Sequence, residues 1–164
     1  MLLILLRHGI AEDSQTNADD FQRPLTPAGR KKVARAAAGL HTLVPALDYI
    51  ASSPKLRARQ TAQLARDAWG KSAPAITEWP ELLDETDFSA LARKLWALGA
   101  DTVLLVGHQP NLERLLNWLL KGCNCALQVE WKKAGAAALE VDFERDACVL
   151  HWFLPPKVLR ALGK

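Results

Sequence analysis

Residues 2–9 read LLILLRHG: five aliphatic side chains in a row, then Arg7, His8 and Gly9. A run of Leu and Ile without polar alternation is the pattern of a strand covered on both faces, and such strands sit inside parallel sheets. A first, central strand is therefore predicted over residues 1–6, with Arg7 delivered to the rim where it ends. Two ionisable side chains and a glycine at the tip of a buried strand need a reason, which comes from residues far along the chain.

Outward from this strand, short apolar runs alternate with stretches of helical period, as in an α/β domain. Thr26 is a good helix N-cap with Pro27 at the first helical position. The helix runs to about Leu43 and puts Val33, Ala36, Ala37 and Leu40 on one face. Residues 49–51 make a short second strand stopped by Ser52-Ser53-Pro54, followed by a helix over 56–69. A third strand is predicted over 75–79, then a helix over 88–98 that Gly99 ends. Residues 102–106 form another buried strand, closed by Gly107-His108-Gln109-Pro110 and followed by a helix over 111–120. Residues 134–143 and 147–154 alternate as a hairpin across Glu144-Arg145-Asp146, and Pro155-Pro156 leads into a short terminal helix. No repeat or linker interrupts the series, so one domain is expected over 1–164.

With 49% hydrophobic and 24% charged residues the composition is that of a soluble globular protein, which excludes fibrous and disordered classes. The net charge of +3 is scattered, with no basic run of the kind that marks a nucleic-acid arm, and no segment is long and apolar enough for a membrane. Neither nucleic acid nor membrane is expected as a partner. Cys123, Cys125 and Cys148 are an odd number without a secretory signal, so reduced thiols and a cytoplasmic location are expected. Cys123-Asn-Cys125 has no second Cys/His pair at zinc-ligand spacing, so neither a metal nor a cofactor is expected. The six tryptophans lie on unlike elements and are expected in core and rim packing rather than in a stacking platform.

Three strand ends carry unusual residues: Arg7-His8-Gly9, Ser52-Ser53-Pro54 leading to Arg57, and Gly107-His108-Gln109. In open α/β sheets ligands bind beyond the carboxyl ends of the strands, so these pieces can meet in one pocket. Two arginine forks beside two imidazoles suit a dianionic phosphoryl group better than a neutral ligand. One histidine can then attack phosphorus while the other and the guanidiniums neutralise the equatorial oxygens. Gly9 and Gly107 are read as allowing close backbone approach to the anion. Each element also has a plain structural explanation, a surface Arg-His pair or a hydrogen-bonded histidine, and the combination carries the weight. His41 and His151 are given no chemical role.

The blocks LLRHGIAE, RPLTPAG, SSPKLRARQTA and VLLVGHQPNLERLL together resemble the histidine phosphatase superfamily, also called phosphoglycerate mutase-like. They look most like its short SixA branch of phosphohistidine phosphatases. The resemblance implies a three-layer αβα sandwich around a mostly parallel sheet with one antiparallel edge. It makes His8 the phosphorylated nucleophile, Arg7 and Arg57 phosphate clamps and His108 the second phosphate-binding histidine, and it suggests Arg23 of RPLT as a further cation. The implied reaction is metal-independent dephosphorylation of phosphohistidine on a protein such as a phosphorelay domain, by a monomer.

A general acid is not fixed by these blocks. WPELLDETDF offers Glu81, Asp84 and Glu85, with Asp84 the best match to the carboxylate that larger relatives use, and a solvated loop carboxylate is the competing reading. An imidazole leaving group depends less on such an acid than an alcohol does. The alternatives therefore stay open: a phosphatase of small phosphomonoesters with Asp84 as acid, or a phosphate-binding module without turnover.

Overall fold

The computed structural model describes residues 1–13, 19–83, 86–120 and 127–163. Six strands form one sheet in the order β3-β2-β4-β1-β5-β6. The strands are β1 (Leu2–Arg7), β2 (Tyr49–Ser52), β3 (Ile76–Glu78), β4 (Thr102–Gly107), β5 (Ala136–Asp142) and β6 (Ala147–Leu154). The first four run parallel, and β5 lies antiparallel to both β1 and β6. β1 is thus interior, paired on both sides, as its unbroken apolar run requires.

Side chains on β1 alternate between two cores. Ile4 and Leu6 face α1 (Pro27–Leu43), α2 (Leu56–Trp69) and α5 (Pro156–Leu162), meeting Val33, Ala37, Ala62 and Leu159. Leu3 and Leu5 face α3 (Phe88–Ala97) and α4 (Asn111–Leu119), meeting Leu91, Leu95, Leu112 and Leu116. The result is a three-layer αβα sandwich of the phosphoglycerate mutase-like kind. Burial of a Leu side chain stabilises by roughly 1.5–3 kcal/mol, so this doubly covered strand is the least replaceable piece of the scaffold.

The helix signals act as the sequence suggests. The Thr26 hydroxyl accepts from Gly29 N–H at 2.9 Å, and Gly99, at φ 59°, terminates the α3 turn in the left-handed region. Of the tryptophans, Trp69, Trp79 and Trp131 are buried, whereas Trp96 is 60% exposed. Cys148 is half-buried, and Cys123 and Cys125 lie outside the described residues. No group of metal ligands and no helix long and apolar enough to span a membrane occurs among the described residues.

Candidate active site

Register explains why the three strand ends converge. Arg7 pairs with Gly107 across β1 and β4, and Ser52 pairs with Val106 across β2 and β4. His8 and His108 therefore leave the sheet level with each other, Ser53 follows β2 one residue lower, level with Gly107, and the His8 and His108 rings stand 4.9 Å apart. Both are buried, as is Arg57, which α2 carries in its first turn.

Hydrogen bonding sets which imidazole nitrogen is free. His8 Nδ1 lies 2.7 Å from the Gly9 carbonyl, an acceptor only, so Nδ1 holds the proton and Nε2 keeps a lone pair. His108 Nε2 lies 2.7 Å from Ser53 Oγ, whose lone pair faces the Lys55 N–H at 3.4 Å. His108 Nδ1 is buried and has no partner, and it carries N–H in the tautomer whose Nε2 accepts from the Ser53 hydroxyl. Arg7 Nε and Arg57 Nε are likewise buried and unpaired. A buried donor left unmet costs about 1–3 kcal/mol, and these unpaired nitrogens beside two neighbouring imidazoles can receive an anion.

Electrostatics keeps both imidazoles neutral. Burial, then His108, Arg57 and Arg7, holds His8 far below the usual histidine value, at about 2, against the opposing Gly9 hydrogen bond. Burial, then Arg57, Lys55 and Arg7, lowers His108 to about 3, with Asp20 opposing. A neutral His8 at physiological pH is a nucleophile without needing a base.

Several of the groups that build this site were not singled out in the sequence. Asp20 gathers the cations: its Oδ1 accepts from Arg23 Nη2 at 2.6 Å, and its Oδ2 contacts Lys55 Nζ at 2.9 Å and Arg57 Nη2 at 3.2 Å. Its backbone carbonyl accepts from Arg57 Nη1 at 2.7 Å. Burial raises the Asp20 carboxyl, but Lys55, Arg23 and Arg57 outweigh it and hold the group well below the carboxylate range. Thr61 Oγ1 donates to the Arg57 carbonyl at 2.7 Å and accepts from Gly9 N–H at 3.1 Å, tying α2 to the end of β1. A threonine one helical turn after Arg57 was the available signal. Arg7 Nη1 donates to the Trp131 carbonyl.

The two glycines work differently from the expectation of anion approach. A Cβ on Gly9 would come within 2.3 Å of Val33 Cγ2, and one on Gly107 within 3.1 Å of Leu112 Cδ2. They make room for α1 and α4 to pack on the strand ends, and the Gly9 amide is already taken by Thr61. Glu81 is engaged by Lys94 at 2.7 Å. Burial raises its carboxyl, and the Lys94 hydrogen bond outweighs this and lowers it, which suits a structural ion pair rather than a proton donor. Asp84 and Glu85 lie outside the described residues. His41 packs edge-on to Trp69 and His151 meets Glu140, both away from the strand ends.

Comparison with known proteins matches residues 3–97 to the histidine phosphatase superfamily (branch 1). The chain belongs to the histidine phosphatase superfamily. An uncharacterized protein of Picosynechococcus sp. is 32% identical over 94% of this chain and all of its own length. The protein histidine phosphatase SixA, complexed with tungstate, superposes with TM-score 0.81 at 27% identity, covering 97% of this chain and 99% of its own. A structure from Agrobacterium tumefaciens assigned to phosphohistidine phosphatase SixA gives 0.76 at 27% identity, covering 94% and 97%. Membership and these SixA-like matches make this superfamily member a phosphatase.

Proposed function

We propose that the protein removes the phosphoryl group from phosphohistidine on another protein, such as a phosphorelay domain, through a phospho-His8 intermediate. The observation that carries the reading is a neutral His8, its Nδ1 held by Gly9, beside His108 and among the buried unpaired nitrogens of Arg7 and Arg57. Tungstate, a tetrahedral oxyanion, is bound by the related SixA, which supports the same use of the pocket here.

His8 Nε2 attacks phosphorus, and the substrate P–N bond breaks with its electron pair returning to the departing imidazole, which takes a proton from water. Arg7, Arg57 and His108 donate to the equatorial oxygens, with Arg23 at the edge, where charge stabilisation supplies most of the rate in phosphoryl transfer. Water then attacks phosphorus, the His8 Nε2–P bond breaks with its pair returning to Nε2, and phosphate leaves with the proton lost by water. Throughout, the Nδ1–H bond to Gly9 fixes the ring, as an in-line attack demands. Glu81 is held by Lys94 and so is not poised as an acid, and a phosphoramidate needs one least. Monomeric action in the cytoplasm, by one domain, completes the proposal.

The test is chemical trapping with a labelled phosphohistidine peptide. Acid-labile, alkali-stable label should appear on the wild type and vanish in His8→Ala, with turnover down by at least about 10⁴-fold. Asp84→Asn measured alongside separates the ester reading: turnover confined to sugar phosphates and lost in that variant would replace the phosphohistidine assignment.

A further inference from the structure

Beside the catalytic pocket lies a second cavity lined by Ile10, Ala134, Lys32, Lys132, Lys133 and Arg160, together with Pro156. Four of its seven lining residues are cations from three parts of the fold: Lys32 from α1, Arg160 from α5, and Lys132 and Lys133 from the segment before β5. No carboxylate lines it. Lys132 is partly engaged, with Nζ 3.4 Å from Glu130 on the exposed surface. Lys32, Lys133 and Arg160 make no ion pair or side-chain hydrogen bond among the described residues. Four cations in one concavity, opposed by Glu130 at Lys132 and by Asp13 acting on Lys133, still repel one another, and an anionic ligand relieves that.

The cavity is joined to the chemistry through the backbone. Ile10 is two residues from His8, a separation of at most about 7.6 Å between Cα atoms. Ala134, at φ 63°, donates its N–H to the carbonyls of both Arg7 and His8 at 3.1 Å, which ties the segment carrying Lys133 to the end of β1. The Lys133 amine senses that pocket directly: burial lowers it first, then Arg7, Arg23 and Arg57, against Asp13.

We propose that this basic cavity is an accessory subsite for acidic side chains flanking the phosphorylated histidine of the substrate protein, and that it selects among phosphoproteins. This rests on the phosphohistidine-protein reading above. A small bisphosphate fits the cavity less well, because three of its four cations are lysines, point charges on flexible stems rather than arginine forks. Such groups attract spaced carboxylates without fixing their geometry, and Lys32, Lys132 and Lys133 are all exposed to a macromolecular surface.

The experiment uses the full chain and two phosphohistidine peptides, one with three flanking Asp or Glu residues and one with Asn or Gln in their place. At low salt the wild type is expected to prefer the acidic peptide about tenfold in kcat/KM. In Lys32→Gln/Lys133→Gln/Arg160→Gln this preference should fall to about twofold, and about 0.5 M salt should do the same to the wild type. The charge-keeping variant Lys32→Arg/Lys133→Arg/Arg160→Lys should retain it, which misfolding would not mimic. A preference that survives in the Gln variant overturns the subsite.

A binding arm separates the two proposals. With tungstate filling the catalytic pocket, an unphosphorylated acidic peptide should bind the wild type about tenfold more tightly than the Gln variant. Equal affinity overturns the subsite even if both phosphopeptides are hydrolysed. Charge-dependent binding without hydrolysis of either phosphopeptide sinks the substrate reading, and with it the selection among phosphoproteins, and leaves only a site for acidic peptides.

Discussion

The carboxyl ends of β1 to β4 and the opposite end of the sheet both carry concavities, but of opposite chemistry. Near the start of β1, α3, α4 and the β5–β6 hairpin leave a cavity lined by Trp96, Trp118, Val141, Phe143 and Cys148. Arg93, Asp142 and Asp146 also line it, and Asp142 is occupied by the turn amides of Glu144 and Arg145 at 3.1 Å. Every buried side-chain nitrogen or oxygen without a partner, among the described residues, lies at the other end: Arg7, Arg57, Glu81, His108, Gln109 and Asn111 all close or follow one of the first four strands in the sheet. A largely apolar cavity records imperfect packing; unmet nitrogens of Arg7, Arg57, His108 and Gln109, beside unmet oxygens of Glu81, Gln109 and Asn111, are polar groups that folding alone would have paired or exposed, as at a place kept for a polar ligand.

The sharpest way to break this contrast is to delete a donor. Arg57→Ala should lower kcat/KM by about 10²–10³, the effect of losing one preorganised donor to the transferring group, or roughly 2.7–4 kcal/mol. It should also weaken stabilisation by oxyanion, which for the wild type is ~2.7 kcal/mol at about a hundred times the dissociation constant. Thermal melts with and without tungstate, beside steady-state rates, measure both. A variant that keeps its rate and its tungstate shift would show that the unpaired donors do not serve one anion.

The next test uses pH. His8 and His108 are held neutral in the fold, His8 by burial, then His108 and the arginines, and His108 by burial, then Arg57 and Lys55, at about 2 and about 3, while in the unfolded chain they titrate near 6.5. Below 6.5 the unfolded state therefore binds more protons than the native one, so stability falls as the pH drops from about 6.5 toward 3, and is unaffected by these groups above 7. Each histidine contributes a slope of up to about 1.4 kcal/mol per pH unit. Urea titrations at pH 7.5 and 5.5 should show the loss, and His8→Gln/His108→Gln should flatten it. An unflattened slope would assign the acid sensitivity to other groups.

Much of the fold was legible because burial and period agree. LLILLR reads as a doubly covered strand and is one; the Thr26-Pro27 cap, the Gly99 stop and the strand ends stand where local chemistry puts them. His8, His108, Arg7 and Arg57 were legible as outliers at strand tips. Asp20 and Thr61 were not, since an aspartate in a polar loop or a threonine in a helix looks ordinary until register and packing bring it to a partner; Ser53 was named with its strand end, but not its bond to His108. The glycines misled for the same reason: what stands over Gly9 and Gly107 is Val33 and Leu112, neighbours set by the tertiary fold. Lys133 shows the limit most plainly, as only the corner at Ala134 aims that segment at the site.

The smallest expected effect sharpens the contrast from the apolar end. Trp96 is 60% exposed on α3 and lines the cavity far from the strand tips. Trp96→Ala removes partly buried ring surface but no hydrogen bond that the structure shows, so the cost to stability should stay below about 1 kcal/mol. Its kcat/KM should change less than about twofold, because no donor to the phosphoryl group moves. Chemical denaturation and turnover on the same preparation measure the pair of values. A rate loss of tenfold at preserved stability would mean that the two ends communicate, and the apolar cavity would then have to be read as more than a packing defect.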